Sequence, residues 1–313
     1  MGYGNYSYKA HQRLVSKRSN KAKEEVFIQR SVHPLMNPHG VGMRESRDSA
    51  EHPNSLPIVF ALDVTGSMGD IPDQLARKEL PGFMKALLDG GIEDPQVMFM
   101  AVGDVTCDRG PLQVGQFESA AEDIDRWLTW SWLEGGGGGN DGESYDLAMY
   151  FAARHTDTDS IRKRGKRGYF FMTGDEPPFP QTGRSVVKGT IGDDIDQDLP
   201  LAQVSEELSH LYHPFFLIPD QRRRSRCEAR WRKVFGDHVI CLENPADTCY
   251  VASAIVGLRE GVFQDLEGLA QNLELSGLGS LRVGGIVRSV TPYAATLGRD
   301  GTVAPHLEPV LFP

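Results

Sequence analysis

Residues 56–70 read LPIVFALDVTGSMGD. The first eight form an unbroken apolar run, rich in β-branched and aromatic side chains, that ends in an acid. Such a run predicts a strand buried on both faces, as in a parallel sheet covered by helices. Asp63, Thr65 and Ser67 then fall at alternate positions in the loop that leaves the strand, and Gly66 and Gly69 allow that loop to turn tightly. A helix is predicted from about Ile71 to Leu88, with Pro72 in its first turn and Gly90-Gly91 ending it.

Downstream, the same alternation continues. QVMFMAVGD (96–104) reads as a strand and PLQVGQF (111–117) as a short edge neighbour opened by Pro111. AAEDIDRWLTW is helical, five glycines interrupt at 135–139, and a helix spans Glu143 to His155. RGYFFMTGD (167–175) repeats the design of the first strand, an apolar run closed by Asp175. Helix and strand then alternate through LAQVSEELSHLY, HPFFLIPD, SRCEARWRKVFG, HVICLE and TCYVASAIVGLREGVF. Alternation of this kind forces crossover connections, hence an α/β fold with a doubly wound, mostly parallel central sheet and helices on both faces. The expected division is an N-terminal extension (1–55), a central domain (56–262) and a C-terminal extension (263–313). The first carries only a short strand at EVFIQ, and the last is Gly-rich and irregular from Gly268.

The chain has 313 residues and a net charge of −10, with 40% hydrophobic and 24% charged residues. This composition is that of a folded globular protein rather than a disordered one. The acidic balance argues against a nucleic-acid partner, which needs a surplus of clustered cations. Two basic stretches run against it: residues 9–30, and QRRRSRCEARWRK at 221–233, which reads as a solvated helix face or a dock for an acidic partner. No apolar run is long enough for a membrane span, and the N-terminus lacks a signal-peptide core, so a cytoplasmic location is expected. Cys107, Cys227, Cys241 and Cys249 lack CxxC spacing and read as buried thiols rather than a zinc site.

In an open parallel sheet, ligands gather outside the carboxyl ends of the strands. Asp63 and Asp175 both fall there, Thr65 and Ser67 add hydroxyls, and the glycine run delivers Asn140 and Asp141 just before a helix. These are oxygen donors only. They suit a hard cation, Mg2+ or Mn2+ rather than Zn2+, with Ca2+ also admissible. Each residue has a plainer role: Asp63 and Asp175 as turn residues, Asn140 or Asp141 as a helix cap. No Walker lysine and no GxGxxG follow the first strand, and no GxSxG elbow places Thr65 or Ser67 beside His155, His210 or His213. The spacing of Trp127 and Trp130 reads as packing, and Trp132 lies beside the glycine run.

With these residues in view, DVTGSMG resembles the metal-ion-dependent adhesion site of von Willebrand factor type A domains, Asp-x-Ser-x-Ser, with Thr65 keeping the hydroxyl of the first serine. GGGGGNDGES is similar in placement to the family's second loop, with Asn140 or Asp141 as its donor, and FFMTGD to its third, giving Asp175. The likeness covers roughly residues 56–262. It implies a Rossmann-like fold and a non-catalytic, Mg2+-dependent protein–protein interaction module. In such a module the cation captures an aspartate or glutamate of a partner. Intracellular bacterial members of the family work beside MoxR-type AAA+ ATPases, so the resemblance implies an adaptor or co-chaperone with such a partner. The alternative is a metal-dependent phosphoesterase using the same pocket, and a third reading is an oligomer subunit whose metal only stiffens loops.

Overall fold

The computed structural model describes residues 4–66, 68, 70–135 and 142–297. Its centre is a six-stranded sheet: β1 (Leu56–Asp63), β2 (Pro95–Val102), β3 (Leu112–Val114), β4 (Gly168–Thr173), β5 (Tyr212–Ile218) and β6 (Val239–Cys241). The spatial order is β6-β5-β4-β1-β2-β3, all parallel except β3, which runs antiparallel to β2 at the edge. The chain therefore builds outward from β1 to one side and then returns to its other flank at β4. This reversal makes the carboxyl ends of β1 and β4 the point where the connections leave to opposite sides of the sheet, the usual place for a ligand in such folds.

All eight residues of β1 are buried, as expected of a strand covered on both faces. Ile58, Phe60 and Leu62 point into one apolar layer, Val59 and Ala61 into the other. Four phenylalanines from neighbouring strands share a register, Phe99, Phe60, Phe171 and Phe215. Successive rings in this row stack with centroids 5.8, 5.4 and 5.4 Å apart. Each such pair adds about 0.5–1.5 kcal/mol beyond its buried area and helps fix the strands in register.

The helix after β1, α1, runs through Asp70–Gln74, Leu75–Glu79 and Leu80–Asp89, with Pro72 in its first turn and Gly90 capping it. Its middle five residues form a π turn in which the Leu80 N–H reaches Leu75 O. Pro81 accounts for this: it has no N–H for the carbonyl of Arg77, and its ring would collide there, so the ladder widens one turn earlier. Helices α2 (Ala121–Thr129), α3 (Tyr145–Arg154), α4 (Leu201–Leu211), α5 (Arg224–Phe235) and α6 (Thr248–Arg259) follow where the apolar periodicity predicts them.

The two extensions differ from expectation. EVFIQ is not a strand: Lys23–Val26 is a helical turn, Phe27 is buried in the core and Ile28 is exposed. Before it, Tyr8–Arg18 is a helix capped by the Ser7 hydroxyl, with His11 and Arg18 buried against Asp125 of α2. The segment 263–297 is not irregular either. It folds as α7 (Leu266–Leu275) and α8 (Ser280–Leu297), and Leu269, Leu273, Val283, Ile286, Val290 and Tyr293 join the apolar layer on the α1 side of the sheet. The buried α8 positions recur at helical spacing, but the glycines at 277, 279, 284 and 285 dilute the signal.

Among the described residues no helix is long and apolar enough to cross a membrane. Cys227 and Cys249 are buried as expected, Cys241 is half-buried, and Cys107 is exposed, contrary to expectation. Cys107 sits in a polar loop beside Asp104 and Asp108, where nothing apolar covers it. Partial burial and these two carboxylates push its thiol up to about 12, so exposure does not make it reactive.

Candidate functional site

Asp63 ends β1 with no accessible surface. Its Oδ1 accepts the Thr65 N–H at 2.9 Å and the Thr65 hydroxyl at 2.6 Å, closing the loop on itself as an Asx turn. Its Oδ2 accepts the hydroxyl of Tyr145, in the first turn of α3, at 2.6 Å. The Thr65 hydroxyl spends its proton on Asp63, which leaves its oxygen lone pairs free of that bond. A side chain at Gly174 would place its Cβ 2.1 Å from the Tyr145 hydroxyl, so this contact requires glycine in the Thr173-Gly174-Asp175 loop.

Asp175 is likewise buried. Its Oδ2 lies 2.9 Å from Nε of Arg223, while its Oδ1 has no hydrogen-bond partner among the described residues. Arg223 and Arg226 both pair with the neighbouring Glu176, whose carbonyl accepts the Trp231 indole N–H at 2.9 Å. The loop after β4 is thus tied to the start of α5.

The sequence marks Glu143 only as the start of a predicted helix, and the structure buries it among the carboxylates of the site. It is 6% exposed, its Oε2 has no hydrogen-bond partner among the described residues, and its backbone bridges to Pro178 beyond Asp175. Burial pushes its carboxyl up to about 9, and the charges of Asp63, Asp104, Asp108 and Glu176 act in the same direction. Burial likewise raises Asp63 to about 7 against its hydrogen bonds from Thr65 and Tyr145, and the nearby charge of Asp175 adds to the rise.

A second overlooked signal is a repeat. Asp104-Val105-Thr106, after β2, copies Asp63-Val64-Thr65: Thr106 donates to Asp104 from its N–H at 2.8 Å and its hydroxyl at 2.7 Å. Ser144 locks this loop to α3, accepting the Val105 N–H at 2.8 Å and giving its own N–H to Gly103 O. Two adjacent strands therefore end in the same self-closed acid and hydroxyl box. Trp132, 6% exposed, lies under the Arg109 guanidinium at 4.7 Å and exchanges backbone hydrogen bonds with the Gln113 amide. It forms a wall between β3 and this loop.

Of the predicted donors, Asp63, Thr65 and Asp175 lie at the carboxyl pole of β1 and β4. Ser67, Asn140 and Asp141 lie outside the described residues. The histidines are engaged elsewhere. His155 contacts Val41 O, Gly42 O and Asp193, and His213 accepts from Arg259. Among the described residues no three His, Cys, Asp or Glu side chains converge closely enough to hold a metal by themselves. A cation here would need hydroxyl and water oxygens beside at most two carboxylates. Buried carboxylate oxygens without partners, on Glu143 and Asp175, with the Asp63 and Thr65 oxygens at the same pole of the sheet, fit a small hard cation.

No family model and no curated protein matches the chain. Among solved structures it is similar to the pilus adhesin SpaC from Lactobacillus rhamnosus GG in its open conformation, at 9% identity and a TM-score of 0.45. That match covers 69% of this chain and 31% of the adhesin. Proximal thread matrix protein 1 from the mussel byssus is similar at 11% identity and a TM-score of 0.40, over 68% of this chain and 48% of that one. The chain thus spans less than half the length of either.

Proposed function

We propose that this protein is a metal-dependent protein–protein interaction module of the von Willebrand factor type A kind. Its cation, Mg2+ or a substitute such as Mn2+, is held at the carboxyl ends of β1 and β4 and completed by an aspartate or glutamate of a partner protein. The observation that carries the reading is the pair of buried carboxylate oxygens without a hydrogen-bond partner among the described residues, Glu143 Oε2 and Asp175 Oδ1, at the same pole of the sheet as the closed Asp63–Thr65 loop. Burying an unpaired carboxylate costs several kcal/mol, a cost that a cation or a proton removes. In this reading Asp63, Thr65 and Ser67 supply the first loop, Glu143 with Asn140 or Asp141 the second and Asp175 the third, with at most two of the carboxylates Asp63, Glu143 and Asp175 touching the ion directly and the rest reaching it through water. When bound, the cation would offer a positive centre with room for one outside oxygen. Tyr145 fixes Asp63, Gly174 makes room for Tyr145, and Arg223 balances the charge of Asp175.

The test is a Mn2+ titration by electron paramagnetic resonance. Wild-type protein is expected to bind one ion, and Asp63→Asn to bind it at least about 100-fold more weakly, about 2.7 kcal/mol. Equal binding by both proteins would overturn the proposal.

A further inference from the structure

The stretch 221–233 carries six arginines and one lysine against a single acid, Glu228, in a chain of net charge −10. The fold sorts these residues by face. Cys227, Trp231 and Phe235 turn inward at four-residue spacing and are buried. Arg226, Arg230 and Lys233 lie on the opposite side of the helix, Arg222 in the turn just before it, and all four are exposed. Arg222 pairs only loosely with Asp220, its side chain 91% exposed, and Arg226 pairs with Glu176. Arg230 and Lys233 make no ion pair among the described residues. The row starts beside the candidate site, since Arg223 and Arg226 reach Asp175 and Glu176. From Arg226 to Lys233 it runs about 10 Å along the helix, the span of about three extended residues.

We propose that this outer face of α5 is a second docking surface, taking an acidic peptide segment of the partner whose leading carboxylate meets the cation. The proposal rests on the cation-capture reading above. A partner carrying several acids is repelled by most of an acidic molecule and attracted along this one strip, so the strip sets its direction of approach. A nucleic-acid strand fits less well: it gains its affinity from exposed aromatic platforms as well as phosphate contacts, and the aromatics of α5 face inward.

Fluorescence anisotropy with a labelled poly-glutamate peptide of about eight residues, and with a poly-uridine strand of equal charge, tests this in Mn2+ and in EDTA. Wild-type protein is expected to prefer the peptide. Arg230→Glu with Lys233→Glu should weaken the peptide at least about tenfold and flatten its salt dependence, with Mn2+ affinity and melting temperature unchanged. The proposal is overturned if the double variant binds the peptide like wild type, if wild type binds none, or if poly-uridine binds as tightly. Asp63→Asn separates the two ideas. If it keeps full peptide binding while the double variant loses it, the strip stands and the cation reading fails.

Discussion

Two acidic clusters in this molecule have opposite fates. Where the N-terminal extension crosses the sheet edge, Arg44–Ser46 pairs with Thr156–Thr158, and Asp48, Asp157 and Asp159 meet Arg47, Lys163, Arg164 and Arg162. Burial works against the charge of Asp48, but hydrogen bonds from Arg164 and Ser55 outweigh it and hold the carboxyl well below its ordinary value. Asp159 is lowered in the same way, by Lys163 and the Asp48 N–H. At the carboxyl pole of the sheet, burial wins instead, and Asp63 and Glu143 rise to about 7 and about 9. Acids that only hold a fold together come with their cations. Buried acids with no cation beside them among the described residues, as Asp63 and Glu143 are, mark candidate functional sites.

The contrast breaks most directly by removing one acid from each cluster. Asp48→Ala leaves Arg164 without its carboxylate, and should cost about 2 kcal/mol in urea unfolding, below the cost of breaking a fully buried pair because this one is partly exposed. Glu143→Gln keeps the shape and spares the fold the cost of holding a proton on a buried acid, so in EDTA at neutral pH it should be at least as stable as wild type while binding Mn2+ more weakly. A Glu143→Gln protein destabilised as much as Asp48→Ala would make the two clusters alike, and the distinction would fall.

Proton linkage gives the next largest effect. Asp63 and Glu143 have folded-state values above their unfolded ones, so the metal-free fold keeps their protons while the unfolded chain loses them. Their contribution is therefore full below pH 4 or so and declines as pH rises toward about 7 and about 9 respectively. A cation competes with the same protons, so Mn2+ affinity should rise with pH, by at most about 1.4 kcal/mol per pH unit for each proton released. Isothermal titration from pH 6 to 8 measures this, and an affinity that does not change over that range would exclude both carboxylates from the site. Asp48 behaves oppositely: its lowered value adds stability above the ordinary carboxylate range, which is lost only as pH falls.

The sequence makes the frame of this picture readable and leaves its edges obscure. An apolar run such as LPIVFALD admits few structures, and its register, helix partners and terminal acid all follow from burial on two faces. Glu143 is harder to read because an acid just before a helix normally serves as a cap, and only the packed structure shows it facing other carboxylates. Tyr145 reads as an ordinary core aromatic until its hydroxyl is placed on Asp63. Both extensions defeat periodicity for different reasons. The first is held by single polar contacts, such as Arg18 with Asp125 and Lys23 with Asp70, and the second has its apolar spacing thinned by glycine.

The smallest expected effect is the sharpest on geometry. Gly174 exists in its loop because a Cβ would overlap the Tyr145 hydroxyl, and that hydroxyl is the one hydrogen-bond donor to Asp63 Oδ2 among the described residues. Gly174→Ala must push either the ring or the loop aside, and the neutral donor lost from a carboxylate is worth about 1.5 kcal/mol. Mn2+ affinity should fall about tenfold or somewhat less. Tyr145→Phe removes the same hydrogen bond without the collision, so it should weaken Mn2+ in the same direction and no more than Gly174→Ala. If Tyr145→Phe leaves the affinity untouched while Gly174→Ala lowers it, the loop carrying Asp175 is what matters, and Tyr145 does not position Asp63. The arm junction supplies the control: loss of a donor to Asp48, as in Ser55→Ala, should lower stability and leave Mn2+ binding as it was.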